Sequence, residues 1–138
     1  MARSNARAAA MQLLYETLMG GSGEDTLCAL IAFTPEGDDQ AYIDRVVAGV
    51  RDHAEELDAL VARQSPSREL DRIARVDLCI LRLALYEMRY EEDTPDSVAI
   101  NEAVELAKRF SEPASARFIN GVLGAISRGE SAPEENRE

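Results

Sequence analysis

The sequence is poor in the residues that most often build metal, redox and nucleophilic sites. Its 138 residues include no tryptophan, one histidine and two cysteines. The spacings of cysteine and histidine that bind zinc are absent, and no glycine-rich loop follows a predicted strand, as a phosphate-binding loop would. We therefore expect neither a metal ion nor a cofactor.

Long apolar runs are also lacking. The longest, from Val76 to Met88, is interrupted by Arg82 and is too short to span a bilayer, and the polar N-terminus has no apolar segment typical of a signal peptide. Cys28 and Cys79 lie among apolar residues, which favours reduced thiols in a core over a disulfide. These features predict a soluble, cytoplasmic protein that does not contact membranes.

Candidate catalytic groups are few. His53 lies among Asp52, Glu55 and Glu56 on a predicted exposed helix, a setting typical of a solvated surface histidine. Catalysis by the common routes needs a base or nucleophile with a positioned partner, and no such pair stands out. The chain is therefore predicted to be non-enzymatic, although the sequence leaves open an enzyme built on carboxylates alone.

The residues that are abundant predict helix. Apolar residues make up 46% of the chain, helix-favouring alanine, leucine, glutamate and arginine are common, and apolar side chains recur at helical spacing. The predicted fold class is all-α, with about seven helices in one domain over residues 1–129, in two packed halves at about 1–65 and 66–129. Residues 130–138 are expected to form a disordered acidic tail. The helices are predicted over about 3–19, 27–33, 38–65, 70–73 and 76–90, from Thr94 to a break at 111–113, and from there to about 129.

The helix predicted over 76–90 is apolar on nearly every side, as expected for a helix at the centre of a bundle. Leu83 lies near its middle, so we expect Leu83→Ala to cost on the order of 2–5 kcal/mol of stability. The next helix has a clear start signal, with Thr94 as the N-cap and Pro95 in the first turn.

Charge is distributed unevenly along the chain. The formal net charge of −11 argues against non-specific binding of nucleic acid, because phosphate contacts require clustered lysine and arginine. Two segments are nevertheless basic. Residues 1–19 carry a net charge of +1, and residues 108–128 carry a net charge of +3.

In the first basic segment, Arg3, Arg7, Met11 and Tyr15 follow one another at four-residue spacing along one stripe of a helix. Arginine can bind phosphate through paired hydrogen bonds, and tyrosine can stack on an unpaired base. The alternative is a frayed basic N-terminus followed by a half-buried core tyrosine, and the spacing alone favours that alternative.

In the second basic segment, Lys108, Arg109 and Arg117 are interleaved with Phe110 and Phe118 around a helix–helix corner. Basic residues that alternate with aromatic ones at a helix start suit single-stranded RNA. Both phenylalanines could as easily belong to the core, and the pattern alone slightly favours the core.

The string over residues 95–123 contains VAINEAVELAK at 98–108, Phe110, and RFINGVL at 117–123. It resembles the signature of the NusB family. LRLALYE at 81–87 resembles the family's central helix, VAGV at 47–50 its third helix, and Ala6-Arg7 with Gln12, Leu14 and Tyr15 its first helix. The resemblance covers nearly the whole chain.

The resemblance implies a fold and a function. NusB proteins are all-α, built as two three-helix bundles, and they bind boxA RNA, a short single-stranded element in the leaders of ribosomal RNA operons. They do so as a heterodimer with the ribosomal protein NusE, which joins elongating RNA polymerase and suppresses premature termination. Some members form homodimers, so a homodimer is also open here. With Arg3 added from the first stripe, the RNA-facing candidates are Arg3, Arg7, Gln12, Tyr15, Lys108, Phe110, Arg117 and Phe118, and the NusE-facing candidates are Asp77, Tyr86 and Glu87.

The chain departs from the family pattern at two places. Ser4-Asn5 stand where members often carry an arginine-rich run, and Ala114 follows Pro113 where others often have an acidic residue. Fewer arginines should weaken RNA affinity at physiological salt. Arg7→Ala or Lys108→Ala is expected to weaken RNA binding without unfolding the protein.

Two other interpretations remain open. One is a NusB-like scaffold that binds proteins and little or no RNA, for which the acidic composition is the best support. The other is the NusB-like helical domain found joined to RNA cytosine methyltransferases, which would make the chain part of an enzyme. No cofactor-binding domain follows before Glu138, which counts against that second interpretation.

Overall fold

The computed structural model describes residues 2–21, 39–64 and 72–129, with side chains from Ser4 onward. These residues form six α-helices and no strand, which confirms the all-α class. The predicted helix at 27–33, the tail at 130–138 and the first half of the turn at 70–73 lie outside the described residues. In chain order the helices are α1 (Ala2–Leu18), α2 (Asp39–Asp52), α3 (Ala54–Gln64), α4 (Arg75–Tyr90), α5 (Asp96–Phe110) and α6 (Pro113–Ser127).

The central helix of the fold is α4, as its apolar sequence predicts. It packs against every other described helix, while α1 pairs with α2 and α5 pairs with α6. Ten of its sixteen residues are buried. Because α4 joins helices on both sides of residue 66, the division into two halves stays a prediction. No helix in the described ranges combines the length and the apolar character needed to cross a membrane.

The long helix predicted over 38–65 is wrong in one respect, because the structure interrupts it at His53, between α2 and α3. Hydrogen bonds of 3.0 Å from the His53 N–H to the Gly49 carbonyl and from the Leu57 N–H to the His53 carbonyl continue the helical pattern on both sides. A one-residue interruption leaves the apolar spacing from Val50 to Leu57 unchanged. The sequence pattern therefore could not reveal it.

The helix ends agree with the sequence signals at two places and differ at one. Gly20, just after α1, has φ +94°, a conformation that favours glycine, and Pro113 starts α6 as predicted. The N-cap of α5 is Pro95, however, and not Thr94. Pro95 has an extended backbone with ψ 150°, which keeps it outside the first turn, and its carbonyl accepts hydrogen bonds from the Val98 and Ala99 N–H groups.

The packing of α2 on α4 depends on Gly49. A Cβ atom at this position would lie 2.3 Å from two ring carbons of Tyr86, which is far inside van der Waals contact. Only glycine therefore allows the Tyr86 ring to lie directly against the backbone of α2. The sequence motif at 47–50 contains this glycine, but its partner is on another helix and is not apparent from local spacing.

Cys79 gives a direct test of the core. Its side chain is 1% exposed, and burial raises the pKa of the thiol to about 11, although the charge of Arg82 acts in the opposite direction. Because the thiolate is the reactive form, we expect a thiol reagent at pH 8 to label Cys79 in a Cys28→Ser variant only as fast as the protein opens. Denaturant should make the labelling immediate, and rapid labelling of the native protein would contradict the buried position.

The same shift makes a prediction for stability at high pH. A thiol whose pKa is raised by folding favours the neutral form in the folded state, so its contribution is complete below the ordinary value of 9.0. That contribution is lost as the pH rises towards about 11, because the unfolded chain then ionises and the folded chain does not. A Cys79→Ala variant should lack this part of the pH dependence.

Candidate nucleic-acid interface

A basic groove runs between α5 and α6 on the surface. One wall is formed by α5 and carries Lys108, whose side chain is 62% exposed and lies 3.5 Å from Glu105 as an exposed ion pair. The other wall is formed by α6 and carries Arg117 and Arg128. The residues that line the groove are Ser97, Ile100, Asn101, Val104, Lys108, Ala116, Arg117, Asn120, Gly124 and Arg128.

The helical periods of α5 and α6 explain why these side chains point into the groove. In α6 the buried residues are Ala116, Ile119, Val122 and Leu123, so Arg117 and Asn120 are left on the outer side, where both are exposed. In α5 the inner face ends at Leu106 and Ala107, and Lys108 follows in the last turn. A cation there also interacts favourably with the negative end of the helix dipole.

Asp77 of α4 holds the corner between the two walls. Its carboxylate is 4% exposed and accepts hydrogen bonds from the Ser111 hydroxyl at 2.7 Å and the Ser115 hydroxyl at 2.6 Å. The two hydroxyl oxygens lie 3.0 Å apart. The central helix thereby fixes the turn that separates Lys108 from Arg117.

A second groove brings together aromatic residues from the two basic segments. Tyr15 of α1 and Phe110 of α5 both line it, beside Arg75 of α4. Both aromatic rings are half-buried, and the guanidinium carbon of Arg109 lies 4.9 Å from the centroid of the Phe110 ring. The exposed parts of these rings offer surface on which unpaired bases can stack.

The stripe along α1 turns inward. Arg7 is 6% exposed and Met11 is buried, while Gln12 is exposed on the other side of the helix. Nε and Nη2 of Arg7 donate hydrogen bonds of 2.9–3.1 Å to the Glu87 carboxylate. Arg3 lies on α1, and its side chain is outside the described residues.

The Arg7–Glu87 pair joins four helices. The Tyr42 hydroxyl of α2 donates to Glu87 of α4, and Glu102 of α5 lies 3.8 Å from Nη1 of Arg7. Burial by itself would lower the pKa of Arg7, but the hydrogen bond and the charge of Glu87 outweigh it and the pKa is raised. The expectation that Arg7→Ala leaves folding unaffected therefore needs correction, because this substitution removes the charged partner of a buried carboxylate.

The three NusE-facing candidates lie in the interior. Asp77, Tyr86 and Glu87 are 4%, 8% and 1% exposed, and each has partners within the chain. The α4 sequence is apolar on nearly every side, so its spacing could not separate inward from outward positions. Their contact with a partner stays a prediction, as do the RNA contacts of the eight RNA-facing candidates.

The remaining candidates occupy intermediate positions. Phe118 is half-buried and packs against the core. His53 is also only partly exposed, because its ring stacks on Tyr90 with centroids 4.4 Å apart and Nδ1 lies 3.3 Å from Glu56. Within residues 2–21, 39–64 and 72–129, no group of three histidine, cysteine or acidic side chains could hold a metal ion.

Comparison with known proteins gives consistent matches. The NusB family model matches residues 4–128. Transcription antitermination protein NusB of Symbiobacterium thermophilum is 41% identical over 94% of this chain and 91% of its own length. The protein of the same name from Desulforamulus reducens is 39% identical over 96% of each chain.

Solved structures are also similar to this chain. T. maritima NusB superposes with a TM-score of 0.82 at 31% identity, covering 98% of this chain and 96% of that one. A chain from the crystal structure of antitermination factors NusB and NusE in complex with dsRNA superposes with a TM-score of 0.78. At 24% identity over 93% of this chain and 97% of that one, it shows the shared fold alone. Because the family model matches residues 4–128 and the two relatives are 41% and 39% identical, the chain belongs to the NusB family.

Proposed function

We propose that this chain is a non-catalytic transcription antitermination factor of the cytoplasm that binds boxA-type single-stranded RNA together with NusE and acts on elongating RNA polymerase. The observation that carries the proposal is the basic groove between α5 and α6. It places Lys108 and Arg117 on facing walls of one exposed cleft in a chain whose net charge is −11. The segment that forms it is also the one that carries the family signature.

The two grooves differ in the parts of the RNA that they bind. Lys108 and Arg117 bind phosphate oxygens, and the side-chain amides of Asn101 and Asn120 can bond to sugar hydroxyls or base edges. The neighbouring groove offers the rings of Tyr15 and Phe110 for stacking on bases. An unpaired strand can use both grooves, whereas a regular duplex keeps its bases stacked on one another.

In this proposal, NusE compensates for the weak RNA affinity that follows from the negative net charge of this chain. With few cations and many exposed carboxylates, electrostatic attraction to RNA is weak at physiological salt. A complex with NusE enlarges the RNA-binding surface, which favours tighter binding than either protein achieves alone. Support for this partner comes from the antitermination factor whose fold this chain shares and which was crystallised with NusE and dsRNA.

The test is a Lys108→Ala/Arg117→Ala double variant, with affinity for boxA-type RNA measured in the presence of NusE at several salt concentrations. We expect roughly tenfold weaker binding or more, because a hydrogen bond to a charged group contributes about 1.5–3 kcal/mol. The salt slope should fall by about 0.7 for each phosphate of the single strand that the variant no longer neutralises. Arg45→Ala is the matched control, since Arg45 is an exposed arginine on α2 paired with Glu91.

A second candidate function is a protein-interaction scaffold, which the net charge of −11 favours. The same experiment separates the two functions. Binding that NusE enhances, that salt weakens and that a scrambled RNA does not show supports antitermination. If the wild-type protein binds NusE but neither protein nor complex binds the RNA, the scaffold is the better description.

A further inference from the structure

We infer that Arg128 is a third phosphate-binding side chain, so that bound RNA extends along α6 from Arg117 to its C-terminal end. The inference rests on the proposed function and goes beyond it, because Arg128 lies outside the residues 98–123 that carry the family signature. It assigns a longer binding site than the signature does, and the added ligand is the phosphodiester backbone.

The helical geometry places the two arginines on one face. Eleven residues separate Arg117 from Arg128, and at 3.6 residues a turn this is close to three full turns, with a rise of about 16 Å. Arg128 keeps a helical backbone, with φ −81° and ψ −4°, and its N–H donates a 3.0 Å hydrogen bond to the Gly124 carbonyl. The register that directs Arg117 into the groove therefore continues to Arg128.

Glycine at 124 allows the Arg128 side chain to lie along the helix. A Cβ atom at Gly124 would be 3.1 Å from Nη1 of Arg128, so the guanidinium occupies the space that a side chain would take. This position brings it back from the helix end into the groove that Lys108 and Arg117 line. Glycine inside a helix costs about 0.5–1 kcal/mol of stability relative to alanine. Helix stability therefore does not explain why residue 124 is glycine.

Gly121 leaves the middle of the same face open. It is exposed, and a Cβ atom there would meet no other atom within 4 Å. Between the two arginines the face of α6 is therefore smooth, with the Asn120 amide at its edge. A sugar–phosphate backbone can approach closely along such a face and meet a cation at each end.

Two described acidic side chains beside the groove have partners. Asp96, at the start of α5, accepts a 2.8 Å hydrogen bond from the Ser127 hydroxyl, and Glu105 lies 3.5 Å from Lys108. The described lining of the groove itself contains three cations and no acidic side chain, a composition that suits a polyanion. Contacts of this kind are independent of base sequence, so Arg128 should change how affinity depends on RNA length and leave discrimination between sequences unchanged.

The experiment compares a minimal boxA-type RNA with the same RNA lengthened at either end by several nucleotides of neutral sequence, always with NusE. We expect wild type to gain affinity from the extension at one end. Arg128→Ala should lose that gain, weaken binding of the longer RNA more than binding of the minimal RNA, and show a salt slope on the longer RNA lower by about 0.7. Arg128→Lys, which keeps the charge, should recover part of the gain, and Gly124→Leu should reduce it by displacing the guanidinium.

Arg45→Ala controls for the loss of one positive charge elsewhere on the molecule. If Arg128→Ala keeps the full gain and slope on the longer RNA, or if Arg45→Ala loses as much, the inference is overturned while the proposed function stands. If the wild-type complex binds none of the RNAs, the proposed function fails and the inference fails with it. Melting curves of all variants establish that the fold is unchanged before affinities are compared.

Discussion

Glu87→Ala is expected to destabilise the protein by about 3–5 kcal/mol, the usual loss when one partner of a buried ion pair is removed. Glu87 is 1% exposed, and its carboxylate accepts hydrogen bonds from Arg7 and Tyr42. Without it, the Arg7 guanidinium stays in the core, and Glu102, 3.8 Å from Nη1, is a more distant charged neighbour. Urea unfolding followed by circular dichroism measures the loss.

Two comparisons make this result specific. Arg89→Ala removes an exposed ion pair with Glu56 and should change stability by less than about 1 kcal/mol. The double variant Arg7→Met/Glu87→Leu removes both buried charges, and we expect it to be more stable than Glu87→Ala, since no uncompensated charge of this pair remains. A loss of under 1 kcal/mol for Glu87→Ala would show that the pair contributes little to folding.

Leu83→Ala is expected to have the second large effect. It should lower the free energy of unfolding by about 2–5 kcal/mol, and the loss increases with the volume of the cavity left behind. Leu83 is buried at the middle of α4 and lines a small cavity beside Arg7, Glu87 and Leu106. Because the Leu83 side chain is only 1% exposed, its truncation removes contacts from the packed centre of the bundle.

Leu83→Met is the matched control, because a volume-conserving exchange costs less than about 1.5 kcal/mol. Equal stability of the alanine and methionine variants would contradict the central position of this residue. Leu83 and Glu87 are one helical turn apart and share the same cavity, so their losses should not be additive in the double variant.

Local patterns in the sequence predicted the helices and the central place of α4, because apolar periodicity depends on neighbours three and four residues away. The same patterns did not predict which way the α1 stripe faces. Arg7 at helical spacing from Tyr15 is compatible with a basic surface, and its actual partner, Glu87, is eighty residues away in sequence. Pairing across such a distance depends on how the helices pack.

In the candidate site, too, local sequence patterns predicted some positions and helix packing determined others. The exposed positions of Lys108 and Arg117 follow from their place opposite the buried faces of α5 and α6, and the sequence predicted both. Arg128 was counted in the basic segment but not selected, because its role depends on Gly124 and on the facing wall of the groove. The sequence pattern left open whether Phe110 and Phe118 lie in the core or face RNA. Both rings are half-buried, so each contacts the core and keeps an exposed part.

Lys108 is the only lysine in the chain, so the basic groove contains the one side-chain amine of this protein. An amine-reactive reagent meets just one side-chain amine in this chain. Protection of that amine from acylation when RNA is bound would report occupancy of the groove on the unmodified protein, without any engineered cysteine.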